Sequence, residues 1–226
     1  MLGIALAIIA GAAFAAPPLP AFTARYRLLQ NGTPIGNATL RLAPGADGTW
    51  TFTTESSGSA GLAALLGASV REVSTFRWSG GLPQGIAYDY SMQSALNQKQ
   101  RSVRFDWQDN TVTVDDKGEH HFAAQPGTLE RHTLPLAIAA GLDAGKHDFA
   151  LPVAVLDRVE TQHFAARGDE TVRVPAGTFR AVRVSRTDSG EGFDGWFVPG
   201  KLPVPVRIDQ HGRNNLVLEL ESYSAQ

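Results

Sequence analysis

The chain has 226 residues, with 20 Lys and Arg against 22 Asp and Glu, a formal net charge of −2 and no cysteine. This balance of charge argues against a nucleic-acid-binding surface, and the lack of cysteine excludes disulfides, thiolate metal sites and a cysteine nucleophile. The 23 glycines and 13 prolines follow no repeat period, which is typical of a globular domain with many turns between short strands.

The first residues predict an export signal. An uncharged apolar run extends from Leu2 to Phe14 and is too short to cross a bilayer, which needs about 20 apolar residues. Ala13-Phe14-Ala15 has the small-x-small pattern that signal peptidase recognises. We therefore predict a signal peptide over residues 1–15, cleaved after about Ala15, and a mature chain without a transmembrane helix. A buried N-terminal helix is the alternative, because no Lys or Arg precedes the run. Export without cysteine predicts the bacterial periplasm.

Alternation of apolar and polar residues dominates the chain after Pro20 and is typical of strands with one buried face. The first strand runs into Asn31-Gly32, a pair that favours a type I′ hairpin turn. The clearest later alternations are Trp50/Phe52, Ile86/Tyr88/Tyr90/Met92, Val103/Phe105/Trp107, Phe149/Leu151/Val153/Val155, Val204/Val206/Ile208 and Leu216/Leu218/Leu220. We predict one all-β domain over residues 20–223, an antiparallel curved half-barrel or barrel of roughly a dozen strands, although a two-sheet sandwich would use the same alternation.

Two segments interrupt the strand pattern and predict one or two short helices. Ser59 to Gly67 carries leucines at spacings of three and four, and a second helix is predicted from about Leu134 to Gly141. Pro203 and Pro205 remove backbone donors from a later strand, which predicts that this strand lies at an edge or seam of the sheet.

The chemically reactive side chains show no catalytic pattern. His120 and His121 are consecutive, so in a strand they point to opposite faces, and the other four histidines lie in unrelated segments. The sequence has no Gly-x-Ser-x-Gly elbow, and a serine nucleophile would need a base that the sequence does not identify. We therefore predict no enzymatic activity, no metal site and no cofactor.

Aromatic residues offer the clearest candidate for a ligand site. Tyr88 and Tyr90 share one face of a strand, as do Phe105 and Trp107, and Trp196 lies in a later strand. Such rings usually form the core of a β domain, but a barrel of this size can also enclose a ligand cavity. The predicted low-polarity pocket is lined by Tyr88, Tyr90, Phe105, Trp107, Trp196, Leu62, Leu65 and Leu66, with the three leucines on a helical lid.

Six short motifs follow one another along the chain: Asn31-Gly32-Thr33-Pro34-Ile35-Gly36, Glu55-Ser56-Ser57-Gly58, Arg104-Phe105-Asp106-Trp107, Val174-Pro175-Ala176-Gly177-Thr178-Phe179, Trp196-Phe197-Val198-Pro199 and Leu202-Pro203-Val204-Pro205-Val206-Arg207-Ile208. In this order they resemble the DUF3108 family of unknown function over nearly the whole mature length. The resemblance implies an exported, mostly antiparallel β protein of Gram-negative bacteria, and it supplies no catalytic residues.

Three hypotheses for function follow. The favoured one is a non-catalytic periplasmic protein of the cell envelope that binds or carries an apolar, lipid-like ligand beneath the short helix. The second is a protein-interaction or scaffold module in envelope or surface-polysaccharide assembly, which would bind an envelope protein partner through a strand edge. The third is a hydrolase of envelope polymers, which requires acidic or histidine side chains to converge on a cleft. None of the three involves nucleic acid.

Overall fold

The computed structural model describes residues 17–65, 67–211 and 215–226, so the predicted signal peptide and Leu66 lie outside the described residues. Its strands are β1 (Phe22–Gln30), β2 (Thr33–Pro44), β3 (Trp50–Gly58), β4 (Ser69–Ser79), β5 (Leu82–Gln93), β6 (Gln98–Asp106), β7 (Thr111–Asp115), β8 (Glu119–Ala123), β9 (Asp148–Ala154), β10 (Val159–Val174), β11 (Gly177–Arg186), β12 (Gly192–Val198), β13 (Leu202–His211) and β14 (Leu216–Ala225). The helices are α1 (Gly61–Leu65) and α2 (Leu134–Asp143), with short 3-10 helices at Ala46–Gly48 and Arg131–Thr133.

All fourteen strands form one antiparallel sheet in the order β8-β7-β6-β5-β4-β3-β2-β1-β14-β13-β12-β11-β10-β9. Each strand pairs with its neighbours along the chain, and β1 joins the two halves by pairing with β14, where Phe22 lies opposite Ala225. The sheet is not closed, because β8 and β9 are its two edges. The predicted all-β antiparallel half-barrel is therefore confirmed, with somewhat more strands than the alternation indicated.

The chain after β8 covers part of the β9 edge. The backbone amide of Leu129 donates to the carbonyl of Pro152 (2.8 Å), and the amide of Ala154 donates to the carbonyl of Leu129 (2.8 Å). These bonds form a short parallel bridge between Leu129 and Val153. A covered edge has fewer free backbone groups for unwanted strand pairing than an open one, so β9 is better protected than β8.

The inner face of the sheet, defined here as the face that carries α2 and the main core, is filled. Eight of the ten residues of α2 are buried, among them Leu136 and Ile138. The helix starts with Pro135 in its first turn, where proline needs no backbone donor. It packs against β13 and β5, which lie on opposite halves of the sheet. A helix that is apolar all round belongs inside a core rather than on a surface.

The prediction for Pro203 and Pro205 requires a correction. Strand β13, which contains both prolines, pairs with β12 on one side and β14 on the other, so it is not an edge of the sheet. Its ladder with β14 covers only Arg207 to Gln210, and both prolines precede that ladder. The carbonyl of Pro205 instead accepts a hydrogen bond from the Tyr26 hydroxyl (2.7 Å). The missing donors are accommodated by a local gap in the pairing.

One end of the sheet, here called the upper rim, carries every connection from an odd-numbered strand to the next even-numbered one. The β1–β2 turn at Asn31-Gly32, the segment between β3 and β4 that contains α1, and the β5–β6 turn all lie at this rim. None of the helices within the three described ranges is long and apolar enough to cross a membrane.

Candidate functional site

Four of the predicted pocket residues come together on the inner face. Tyr88 is buried with Val103, Val112 and Val114, and Tyr90 and Phe105 pack against this group. The rings of Phe105 and Trp107 are stacked with centroids 5.5 Å apart, and the Trp107 indole donates to the carbonyl of Gly85 (2.7 Å). These four aromatics form a packed cluster whose polar atoms have partners within the protein.

Trp196 does not join this cluster. It lies in β12, where its cross-strand neighbours are Arg183 and Arg207. Both guanidinium groups cover the indole ring, at 5.4 Å and 5.3 Å from its centroid. The indole N–H donates to Glu170 (2.8 Å). The surroundings of Trp196 are therefore charged, and the prediction that it lines an apolar pocket together with the tyrosines is not met by its contacts.

The predicted lid also differs from the structure. Helix α1 covers only Gly61–Leu65 and contacts β2 and β3 rather than the strands of the two tyrosines. The side chain of Leu65 is 80% exposed. The side chain of Leu62, like Leu66, lies outside the described part of the chain. Because α2 already fills the inner face, α1 has no empty interior to cover.

Sequence reasoning missed a network of four polar side chains on the inner face, here called the Thr54–Glu130 network. Thr54 Oγ1 lies 2.8 Å from His132 Nε2, and His132 Nδ1 lies 2.8 Å from Ser74 Oγ. The Ser74 hydroxyl in turn donates to Glu130 Oε1 (2.8 Å). The four residues come from β3, β4 and the segment that leads into α2.

Local structure explains the position of Glu130. Its Oε2 accepts the backbone N–H of His132 (2.6 Å), so the side chain caps the 3-10 helix at Arg131–Thr133. The His132 ring stacks on Phe52 with centroids 4.4 Å apart. Burial raises the pKa of Glu130, and the hydrogen bonds and the nearby His132 offset only part of that rise.

A second carboxylate lies close to the network. The Tyr88 hydroxyl donates to Glu72 Oε2 (2.7 Å), and the Tyr88 and His132 rings are 5.9 Å apart. Burial raises the pKa of Tyr88 above its usual range, and the charge of Glu72 adds to this effect. Tyr88 therefore stays a neutral donor and keeps Glu72 in place.

Burial decreases along the network from Glu130 to Thr54. Ser74 and Glu130 are only 1% and 2% exposed, whereas His132 and Thr54 are partly exposed. The order of groups is thus a partly exposed hydroxyl, a histidine, a buried hydroxyl and a buried carboxyl group. The hydroxyl–histidine pair is the end of the network that solvent or a small molecule reaches.

The sequence contained a weak signal for this network. Alternation places Thr54 on the face of Phe52 and Ser74 on the face of Phe76, so both hydroxyls point toward the core. An inward polar residue needs a buried partner. The partners are Glu130 and His132, more than fifty residues away along the chain, and no local spacing indicates that contact.

A charged groove of about 540 Å³ lies on β10 to β13, near the upper rim. Asp194 accepts from Arg183 (Nη2 to Oδ2 2.5 Å) and lies 3.2 Å from His211 Nε2. Burial would raise the pKa of Asp194, but Arg183 and His211 outweigh it and hold that pKa below its usual range. Within the described residues, no group of three or more His, Asp or Glu side chains is arranged to hold a metal ion.

Comparisons with known proteins agree with the architecture. The crystal structure of a β-barrel-like protein of the domain of unknown function DUF1849, from Brucella abortus, superimposes with a TM-score of 0.51 at 10% sequence identity. The match covers 93% of this chain and 100% of that chain, and at this identity it shows the fold alone. No curated protein matches the chain at a significant level. Residues 21–221 match the family described as protein of unknown function (DUF3108), and the chain therefore belongs to that family.

Proposed function

We propose that this protein is an exported envelope protein that binds an apolar, lipid-like ligand at its upper rim. The observation that carries the proposal is the position of three exposed leucines. Leu65, Leu96 and Leu156 are 80%, 81% and 45% exposed. They lie in α1, the β5–β6 turn and the β9–β10 turn, all of which belong to the upper rim. Exposed apolar side chains gathered at one end of a protein mark an interaction surface.

The filled inner face supports a rim site rather than an enclosed one. The buried residues of α2 occupy the space that an internal acyl chain would need. The four predicted aromatic residues on β5 and β6 are packed against each other or bonded to backbone. A ligand at the rim would contact leucines that the fold itself leaves uncovered.

The proposed location is the periplasm. It rests on the apolar run and the Ala13-Phe14-Ala15 pattern of the predicted signal peptide. The absence of cysteine from the sequence fits this compartment, because the fold then relies on packing alone.

The rim proposal predicts that charged replacements of the leucines abolish lipid binding. The probe is a suspension of phosphatidylethanolamine and phosphatidylglycerol vesicles, and binding is measured by co-sedimentation. Because burial of one leucine contributes about 1.5–3 kcal/mol, Leu65→Glu and Leu96→Glu should each weaken binding by about tenfold or more. Native mass spectrometry of the protein purified without detergent identifies any retained lipid.

Gln108→Glu is the matched control, since this exposed residue lies in the β6–β7 turn at the opposite end of the sheet. It adds the same charge and should leave vesicle binding unchanged. Equal binding by the leucine variants and the original protein would contradict a lipid site at the rim.

A partner-binding module is the second candidate, and the open edge of β8 favours it. Strand β8 pairs only with β7, and its residues Glu119, His121 and Ala123 are exposed. A free edge accepts an added strand from another protein. Crosslinking from His121 in envelope preparations to one specific protein, with no lipid retained, would favour this function over the first.

A further inference from the structure

We propose that Thr54 and His132 form a nucleophile–base pair that transfers an acyl group from an ester to water, with Ser74 and Glu130 as positioning residues. This inference goes beyond ligand binding at the rim and does not rest on it. The sequence indicated no catalysis because it identified no base for a hydroxyl group, and the structure places His132 against one.

The directions of the hydrogen bonds support the assignment. The Ser74 hydroxyl donates its proton to Glu130, so Ser74 Oγ is left to accept from His132 Nδ1. The proton of a neutral His132 ring is then on Nδ1, and Nε2 carries the lone pair. Thr54 Oγ1, at 2.8 Å, donates to that lone pair. A hydroxyl that donates to an imidazole nitrogen is a nucleophile with its base in place.

The burial of the four side chains supports the same assignment. A buried carboxylate that orients a histidine through hydrogen bonds keeps the ring in one tautomer and stabilises its protonated form. Here Glu130 performs this role through Ser74, and Glu130 also holds the His132 backbone. The stacking of the imidazole on Phe52 restricts ring rotation. Thr54 and His132 are the partly exposed members, as a reacting pair must be.

The proposed reaction balances as an ester hydrolysis. Thr54 Oγ1 forms a bond to the acyl carbon while its proton moves to His132 Nε2. The bond from the acyl carbon to the leaving oxygen breaks, and the alcohol departs with that proton. Water then attacks the acyl-threonine ester, gives one proton to Nε2, and Thr54 Oγ1 regains it as the carboxylic acid leaves. Ester and water are consumed, and acid and alcohol are formed.

The same chain contains a second threonine–histidine pair that serves as an internal comparison. Thr113 Oγ1 lies 3.0 Å from His121 Nδ1 on β7 and β8, and His121 Nε2 lies 2.6 Å from Glu119. His121 and Glu119 are exposed there, at the open edge of the sheet. In water such contacts compete with solvent and gain little from charge. If enclosure of the relay matters, only Thr54 is reactive.

The test uses a small fluorophosphonate reagent on the intact chain, with peptide mass mapping. Thr54 Oγ1 forms a bond to phosphorus, the phosphorus–fluorine bond breaks, and fluoride leaves while the threonine proton goes to His132. We expect an adduct on Thr54, its loss in Thr54→Val, its retention in Thr54→Ser and no adduct on Thr113. Absence of the adduct in both the original protein and a folded Thr54→Ser variant would overturn the proposal. The reagent is not a lipid, so this outcome is separate from any failure of rim binding.

Glu130→Gln tests the positioning role with almost no change of shape. The glutamine oxygen must accept the His132 backbone N–H, so the amide N–H₂ faces Ser74 and donates to it. The Ser74 hydroxyl then donates to Nδ1, and the ring proton moves to Nε2. Nitrogen NMR of His132 at about pH 8 should show Nδ1–H in the original protein and Nε2–H in the variant, with labelling of Thr54 about a hundredfold slower. The Nε2–H tautomer in the original protein would refute the assignment.

Discussion

At the scale of single residues, Glu130 links the stability of the fold to pH. Its pKa is raised in the folded state, mainly by burial, above about 4.3 in an unfolded chain. The folded protein therefore holds this proton more tightly than the unfolded one. The resulting stabilisation is fully present below the unfolded pKa and is lost as the pH rises through the folded pKa.

Glu130→Gln should remove this dependence, because the amide does not titrate. We expect the stability of the variant relative to the original protein to increase as the pH rises from about 4 toward neutrality. Urea unfolding at a series of pH values measures the difference. Glu55→Gln is the control, since Glu55 is an exposed partner of Arg71. Parallel curves for the original protein and Glu130→Gln would contradict a raised pKa.

Side-chain identity alone did not reveal the Thr54–Glu130 network, and the reason is physical. Each member is an ordinary residue in its own segment, and the partners are brought together by pairing of β3 with β4 and by the entry into α2. The aromatic residues show the opposite case. Alternation correctly placed Tyr88, Tyr90 and Phe105 on one face. It could not distinguish a face that lines a cavity from one that is packed.

At the scale of elements, α2 is held by a close approach that only glycine permits. A Cβ added to Gly141 would lie 2.5 Å from Cε1 of Phe149, a buried residue of β9. In an exposed helix the same change from glycine to alanine usually stabilises by about 1 kcal/mol. The tight contact reverses the expected sign.

Gly141→Ala should therefore lower the free energy of unfolding by about 1–3 kcal/mol, the usual cost of overpacking. Thermal and urea unfolding measure it. Gly190→Ala is the matched control, because a Cβ there meets nothing within 4 Å. The cost should shrink in a Phe149→Leu background, where the ring is gone. A Gly141→Ala variant as stable as Gly190→Ala would show that α2 is not packed tightly against β9.

Pro203 and Pro205 show why the position of an element in a sheet is hard to predict from proline alone. The missing donors indicated a break in pairing, and the ladder of β13 with β14 does begin only after them. An edge strand and a central strand with a short gap leave the same signature in the sequence. The buried Val204 and Val206 beside the prolines belong to the second case.

At the scale of the whole molecule, alternation and turn residues were enough to predict the class of fold. Each hairpin is local, so a chain of strands in sequence order is the arrangement that the turns favour. The sequence left barrel and sandwich open, because both bury one face of each strand. Which strands form the edges depends on how far the sheet curls and on the bridge at Leu129, neither of which is a local property.

The open edge predicts a difference in hydrogen exchange between two strands of equal length. Strand β8 is paired on one side and its neighbour β7 on both, and each has five residues. Amides in β8 should exchange faster, because half of them face away from the ladder. Mass spectrometry of peptides that cover the two strands measures the rates. Equal protection would mean that another segment or a second molecule covers β8.

The pairing of β1 with β14 also determines when the fold can be completed. The other ladders of the sheet join strands that are neighbours along the chain, so hairpins can form as each segment becomes available. The β1–β14 ladder instead joins residues about two hundred positions apart, and contacts of such separation are the slowest to form. The two halves therefore stay separate sheets until the last strand is present. For a chain that is exported unfolded, this order delays the finished structure until translocation has ended.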